Sequence, residues 1–375
     1  MKTLLTILFT GIVTISALEA QSIEVHTDGE TSQSELYTYR LGNSTITFEE
    51  TGLQMNGLEE VVRISDIATW SISPNGTYTV AIQHTNPLSL HILRSSDGSK
   101  WQTELTYFKT DDSTLGLYVF NSGRVVTRDN VSNFTFFQPD GSIDFTYSNQ
   151  SGSQYGERPS RLAADSNGRT VVLYNPIINH GFTNGSRARI IHNEEEFVDL
   201  LENDRLTINR VRVSDDGERV AIGLEEEGEV QNVQLFDRDG LLIQTLEPSL
   251  PSIEDLRFSE DRRYLTVRSR NRVVVYLIGD GELIGSTSFR NEIQFANYVP
   301  EEEQLIALTG NLGERNRVNS VDIYSVHFGE RSLASTSVSM PLSISMPERV
   351  NVQHTGEGQF YLAGLNRMLI VETNF

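Results

Sequence analysis

The chain has 375 residues, no cysteine and a formal net charge of −21. The missing thiol excludes a disulfide framework and any cysteine nucleophile, and the acidic balance speaks against nucleic acid and anionic lipid, whose recognition needs basic surface. Only three lysines occur, Lys2, Lys100 and Lys109, so arginine carries nearly all the positive charge.

Met1 and Lys2 form a basic start, Leu4 to Ile15 an apolar run and Ser16 to Ala20 a small-residue end. This is the layout of a secretory signal peptide, with cleavage expected after Ala20 and, as the alternative, after Ala17. The apolar run is shorter than the roughly 20 residues a bilayer core requires, so no membrane insertion is expected. A secreted chain of this size without cysteine fits a bacterial envelope, which places the expected protein in the periplasm or outside the cell. Residues 21–34 read as an N-terminal extension and residues 35–375 as one domain.

Two turn signals then alternate along the domain. The first has the form of a small or polar residue, a turn and an alternating apolar strand, as in Ser73-Pro74-Asn75-Gly76 before Thr77 to Ala81 and Ser214-Asp215-Asp216-Gly217 before Glu218 to Ile222. Weaker copies surround Gly168 and Asp261, and Gly123, Pro300 to Glu303 and Thr355 to Gly358 occupy the same slot. The second signal is Asp97-Gly98, Asp140-Gly141, Asp239-Gly240 and Asp280-Gly281, with His192-Asn193 and Phe328-Gly329 in the remaining places. Asn, Asp and Gly belong in such turns because they tolerate positive φ at least cost.

Seven slots spaced by about 41 to 55 residues, each unit holding two hairpins, predict an all-β seven-bladed β-propeller of four-stranded antiparallel blades. After the seventh slot only two strands fit, near residues 359–364 and 367–372. An N-terminal strand is therefore expected to complete the last blade and remove its open edge, drawn from residues 36–50, where Tyr37 to Arg40 and Thr45 to Phe48 have strand pattern. The segments from about residue 60 to 375 resemble the WD40-like and YVTN-like repeats of bacterial envelope propellers. That resemblance implies an architecture and names neither partner nor activity.

Motifs for chemistry are sparse. Ser95 to Trp101 resembles the Asp-box turn of sialidase-like propellers, which in that family is a structural hairpin. Asp237-Arg238-Asp239-Gly240 begins like a calcium loop but lacks its later ligands. The acidic runs at Glu194 to Glu196 and Glu225 to Glu229 read as solvated faces. The seven histidines show no metal-ligand spacing, and nucleophile-elbow, P-loop and dinucleotide fingerprints are absent. No catalytic residue, metal ligand or cofactor is assigned.

Antiparallel topology sorts the loops. Both turn series lie on one face, while the longer connections collect on the other: 174–188, 225–232 and 310–320 within blades, with 107–114, 148–160 and 338–348 between them. Functional residues concentrate on such loops, and Tyr155, Arg158, His180, Arg187, Arg315 and Arg317 there break the acidic background. The reading is a monomeric, non-enzymatic interaction protein binding a protein, peptide or glycan through this face. The alternative is a hydrolase or lactonase-like propeller with its site at the channel mouth.

Overall fold

The computed structural model describes residues 23–30, 35–41, 44–49, 52–56, 62–105, 116–129, 133–148, 160–179, 182–203, 206–226, 230–313, 317–329, 332–345, 351–354, 359–364 and 367–373. The signal-peptide reading falls on residues outside this set, as do Tyr155, Arg158, His180 and Arg315. The described elements are strands apart from one 3-10 turn at Pro300–Glu302.

Seven four-stranded antiparallel sheets take their strands consecutively. The first holds β2 (Glu35–Leu41), β3 (Ser44–Glu49), β4 (Gly52–Asn56) and β5 (Val62–Ser65). The second holds β6 (Ile67–Ile72), β7 (Tyr78–Gln83), β8 (Ser89–Arg94) and β9 (Lys100–Glu104), and the third β10 (Gly116–Val119), β11 (Val125–Arg128), β12 (Asn133–Phe137) and β13 (Ile143–Ser148). The fourth is β14 (Arg161–Ala164), β15 (Val171–Asn179), β16 (Phe182–Ile191) and β17 (Phe197–Asn203); the fifth is β18 (Leu206–Val213), β19 (Arg219–Glu226), β20 (Val230–Asp237) and β21 (Leu242–Leu246). The sixth comprises β22 (Asp255–Phe258), β23 (Tyr264–Arg268), β24 (Arg272–Leu277) and β25 (Leu283–Ser288), and the seventh β26 (Glu292–Val299), β27 (Gln304–Gly313), β28 (Arg317–His327) and β29 (Ser332–Ser345).

The eighth sheet combines the two ends of the chain. To β30 (Asn351–His354), β31 (Gln359–Gly364) and β32 (Arg367–Thr373) it adds β1 (Ile23–Glu30), which pairs Ile23 with Thr373 and His26 with Ile370. The described residues thus form the expected four-stranded propeller blades, closed by an N-terminal strand, but in eight sheets where the sequence count gave seven. The closing strand comes from 23–30 and not from 36–50, whose strands open a complete sheet of their own. Two local signals account for the difference. The sequence between Leu41 and Ser44 is Gly42-Asn43, a tight-turn pair without the polar residues that precede glycine in the other units, and β1 carries an irregularity between Asp28 and Glu30.

Sheets stack because their middle strands are apolar on both faces. Along β19, Val220, Ile222 and Leu224 pack with Val172 and Ile190 of the fourth sheet, while the intervening Ala221 joins Leu256, Leu265 and Val267 of the sixth. The period of two divides one strand between two cores. The same division joins Val80, Ile82 and Leu90 to Leu117 and Phe137, and Phe134 and Phe136 to Val171 and Leu173. Each fully buried Leu, Ile or Phe contributes about 1.5–3 kcal/mol, and these interleaved layers replace a single central core.

The turns between first and second strands share one hydrogen-bond plan. Ser73 Oγ donates to Asn75 Oδ1 at 2.9 Å, which accepts from Thr77 N at 3.0 Å, while Ser73 Oγ accepts from Tyr78 N at 2.9 Å. Ser214 and Asp216 repeat this with Glu218 and Arg219, and Ser259 and Asp261 with Arg263 and Tyr264. The turns are also laced to one another across neighbouring sheets. Asn75 N donates to Asn121 Oδ1 at 2.8 Å, Ser122 Oγ to Asn167 O at 2.9 Å, Thr170 Oγ1 to Gly217 O at 2.8 Å and Arg219 Nη1 to Arg262 O at 2.8 Å.

Candidate functional site

The first strands of four successive sheets, β6, β10, β14 and β18, line one cavity of about 310 Å³. A space shared by the same strand of four units is the central channel, seen from its inner edge. Pro74, Asp165, Ser166 and Asp215, all from turns of the first series, belong to the lining, so the cavity lies at the turn-side end. Superposing the units on their turns makes Ser71, Tyr118, Ala163 and Arg212 equivalent, each two residues before the turn begins, and all four line the cavity.

Arg212 stands apart among them. Its side chain is exposed to solvent, yet enough protein surrounds it that burial, and after it the charge of Arg257, lowers its pKa against the opposing pull of Asp255 and Asp215. This combination belongs to a side chain projecting into a concave, wet space. The nearby carboxylates are engaged elsewhere or do not reach it. Asp255 Oδ2 accepts from Arg257 Nε at 2.9 Å, and the Arg257 guanidinium lies 4.3 Å from the Phe295 ring centroid. Buried Asp165 accepts from Asn167 N at 3.0 Å and Thr170 N at 2.6 Å.

Further arginines occupy first and second strands toward the opposite end, Arg210 on β18, Arg128 on β11 and Arg268 on β23. Arg210 Nε donates to the Glu254 carbonyl, and Arg268 Nη1 donates to the Ile293 carbonyl at 2.6 Å and faces Glu254 Oε2 at 3.4 Å. Burial lowers the Arg268 pKa despite the compensating charges of Asp255 and Glu254. Arg128 Nη1 donates to the Ser160 carbonyl at 2.6 Å. Burial raises the phenols of Tyr118 and Tyr174, with Arg128 near the first and Arg161 near both working against it. Arginines thus gather on the first two strands of these sheets within a strongly acidic chain.

Of the six residues singled out in sequence, two are described. Arg187 lies on β16, in register with Asn175 and Glu202, and Arg317 on β28, in register with Gly313 and Ser345. They belong to the fourth and seventh sheets, which are not neighbours in the strand order. The segments 174–188, 225–232 and 310–320, expected as loops, are largely strand. Pairing continues to Asn179–Phe182 and Gly313–Arg317, because the ladder between second and third strands outruns the apolar stretch that marked it in the sequence. Residues 338–345 likewise belong to β29.

The turn motifs are satisfied as turns. Asp97 Oδ1 accepts from Ser99 N at 2.9 Å and its carboxylate pairs with Arg94 at 2.7 Å, contacts that hold its pKa at about 2. Asp237 Oδ1 accepts from the amides of Asp239 and Leu241, so the calcium-like phrase serves its own hairpin. Arg212 was missed because the strands before the turns were read for their apolar positions alone. Aligning the units on the turns and comparing the position two residues upstream would have isolated it.

No protein-family model and no curated protein matches the chain. Solved structures do. The WD40 domain of SCAP from fission yeast aligns with a TM-score of 0.61 at 10% identity, covering 93% of this chain and 98% of that one. The Cps50 (Swd1) β-propeller domain of Myceliophteria thermophila aligns at 0.52 with 13% identity over 84% and 99%. KlHsv2 with its loop 6CD replaced by a Gly-Ser linker gives 0.52, 13%, 84% and 100%. The fold is therefore that of a WD40-like β-propeller. Identities this low carry the architecture and nothing finer.

Proposed function

We propose that this chain is a non-catalytic interaction protein of the bacterial periplasm or exterior, whose face opposite the turns binds a protein, peptide or glycan. The observation that carries the reading is the unequal length of the hairpins on that face. β15–β16 and β27–β28 have strands of 9 to 11 residues, against 4 to 6 in β7–β8, β11–β12 and β23–β24. Strands paired past the level of their neighbours present side chains on rigid backbone above the ring, as a recognition surface requires. Arg187 and Arg317 stand on these two hairpins. Carboxylates at the inner ends on the same side are engaged, Glu225 with Asn209 at 3.0 Å and Glu254 with Arg268, an arrangement suited to holding a scaffold.

The address rests on the basic, apolar and small-residue order of residues 1–20. The test uses the secreted chain as bait against a native envelope fraction, beside a variant in which residues 177–184 and 311–319 are replaced by short Gly-Asn turns. A component enriched by the first and lost with the second supports the reading. Equal enrichment by both places recognition elsewhere, and N-terminal sequencing that finds Met1 retained overturns the address.

A further inference from the structure

We propose that the turn-side end of the channel is a binding site for a small carboxylate, with Arg212 seating the carboxylate group and the apolar residues beside it seating a short hydrocarbon body. This site is on the face opposite the one invoked for partner binding and does not depend on that reading.

Four observations converge. The cavity's roughly 310 Å³ is within the size of small-ligand sites, which combine apolar walls with a few placed polar groups. Ile72, Tyr118, Leu162 and Ala163, each partly exposed, supply apolar lining, and Arg212 the cation. Its guanidinium has neither a hydrogen bond nor an ion pair among the described residues, whereas Arg257, its equivalent in the next sheet, is held by Asp255 and stacked on Phe295. An arginine left unpaired in a concave site, where its charge is disfavoured, contributes nothing evident to the fold, and local departures of this kind mark functional positions. The planar fork of donors matches a carboxylate two bonds at a time.

The charge around the site selects among anions. Asp215 lines the same cavity, and Asp165 is buried in its wall. Two carboxylates beside one arginine penalise a dianion more than a monoanion, since every added negative charge repels both. A monocarboxylate is therefore favoured over phosphate.

The experiment titrates the purified protein with sodium butyrate and, separately, with sodium phosphate at matched ionic strength, following backbone amide shifts by NMR. Butyrate is expected to bind saturably and to shift residues of β6, β10, β14 and β18 and their turns. Arg212→Gln should weaken it about tenfold or more, equivalent to about 1.4 kcal/mol, and Arg212→Lys by less. Urea unfolding without ligand provides the second measurement: Arg212→Gln should be as stable as the parent, because the removed group has no partner in the fold. Butyrate binding that is absent, that survives Arg212→Gln unchanged, or that is exceeded by phosphate overturns the assignment. So does a marked loss of stability in Arg212→Gln, which would make the arginine structural.

Discussion

Arg262, in the turn of the sixth sheet, donates from Nη1 to the Asp216 carboxylate in the turn of the fifth at 2.9 Å. Arg262 also holds the left-handed backbone position, φ 60, that glycine fills in the turns at Gly76, Gly168 and Gly217. The residue trades backbone ease for a tie to its neighbour, and the two contributions are separable. Arg262→Ala keeps the strain and loses the tie, at a cost of about 0.2–1 kcal/mol for an exposed pair. Arg262→Gly loses the same tie and is relieved of strain, so it should be the more stable of the two by about 1 kcal/mol. Urea midpoints for the pair decide it; equal values would mean that no strain is stored there.

Glycine at 168 is required for two reasons at once. Its φ is +70, and a Cβ there would lie 2.4 Å from Cδ2 of Phe120, a buried ring in the preceding sheet. Gly279 has φ +106 but open space around the same added atom. Gly168→Ala should therefore cost about 2–4 kcal/mol through strain and overpacking together, and Gly279→Ala about 1–2 kcal/mol through the backbone alone. Thermal or urea denaturation of the two variants measures the difference, with Gly168→Ala expected to be the less stable by about 1.5 kcal/mol.

His91 is a buried acid-sensitive point. Its Nε2 lies 2.8 Å from Gln83 Oε1, Nδ1 is buried without a partner, and burial, aided by the charge of Lys100, lowers its pKa to about 4. In the unfolded chain the imidazole titrates near 6.5. The unfolded state thus binds the proton more readily, so this stability contribution is fully present above pH 6.5 and is lost as pH falls from 6.5 toward 4. The shift amounts to at most about 3 kcal/mol. In His91→Gln the drop in urea midpoint between pH 7 and pH 5 should shrink; an unchanged drop would place the acid sensitivity in other groups.

The ring should depend on β1. A chain beginning at Gln21 keeps Ile23–Glu30, whereas one beginning at Thr31 leaves the outer edge of β32 unpaired. Exposed edges invite strand addition by other copies, so the shorter chain should melt earlier and show dimers or larger species by light scattering. If both lengths stay monomeric with the same melting point, β1 is dispensable.

Much of this fold was legible because turns announce themselves chemically. Gly76, Gly123, Gly168 and Gly217 need positive φ, few residues can supply it, and their spacing marks the units. The uncounted unit shows the limit of that signal: Gly42-Asn43 lies between Leu41 and Ser44, but without the polar lead-in of the other turns its two strands read as surplus pattern available to the last blade. The site was less legible. Arg187 and Arg317 were found as charges out of place, but whether such charges stand on a loop or a ladder depends on pairing between distant segments. Arg212 is one of many arginines in sequence, and only the geometry of four sheets around one channel distinguishes it.

The pairing of Ile23 with Thr373 also sets an order of events in time. Nearly the whole chain separates these residues, so their meeting carries the largest loop-closure cost in the molecule. Strands within the other sheets can pair as soon as each segment is made, but β1 emerges first and finds its neighbour last. During synthesis the leading end must wait unpaired, and the circle locks in one step when the trailing end arrives.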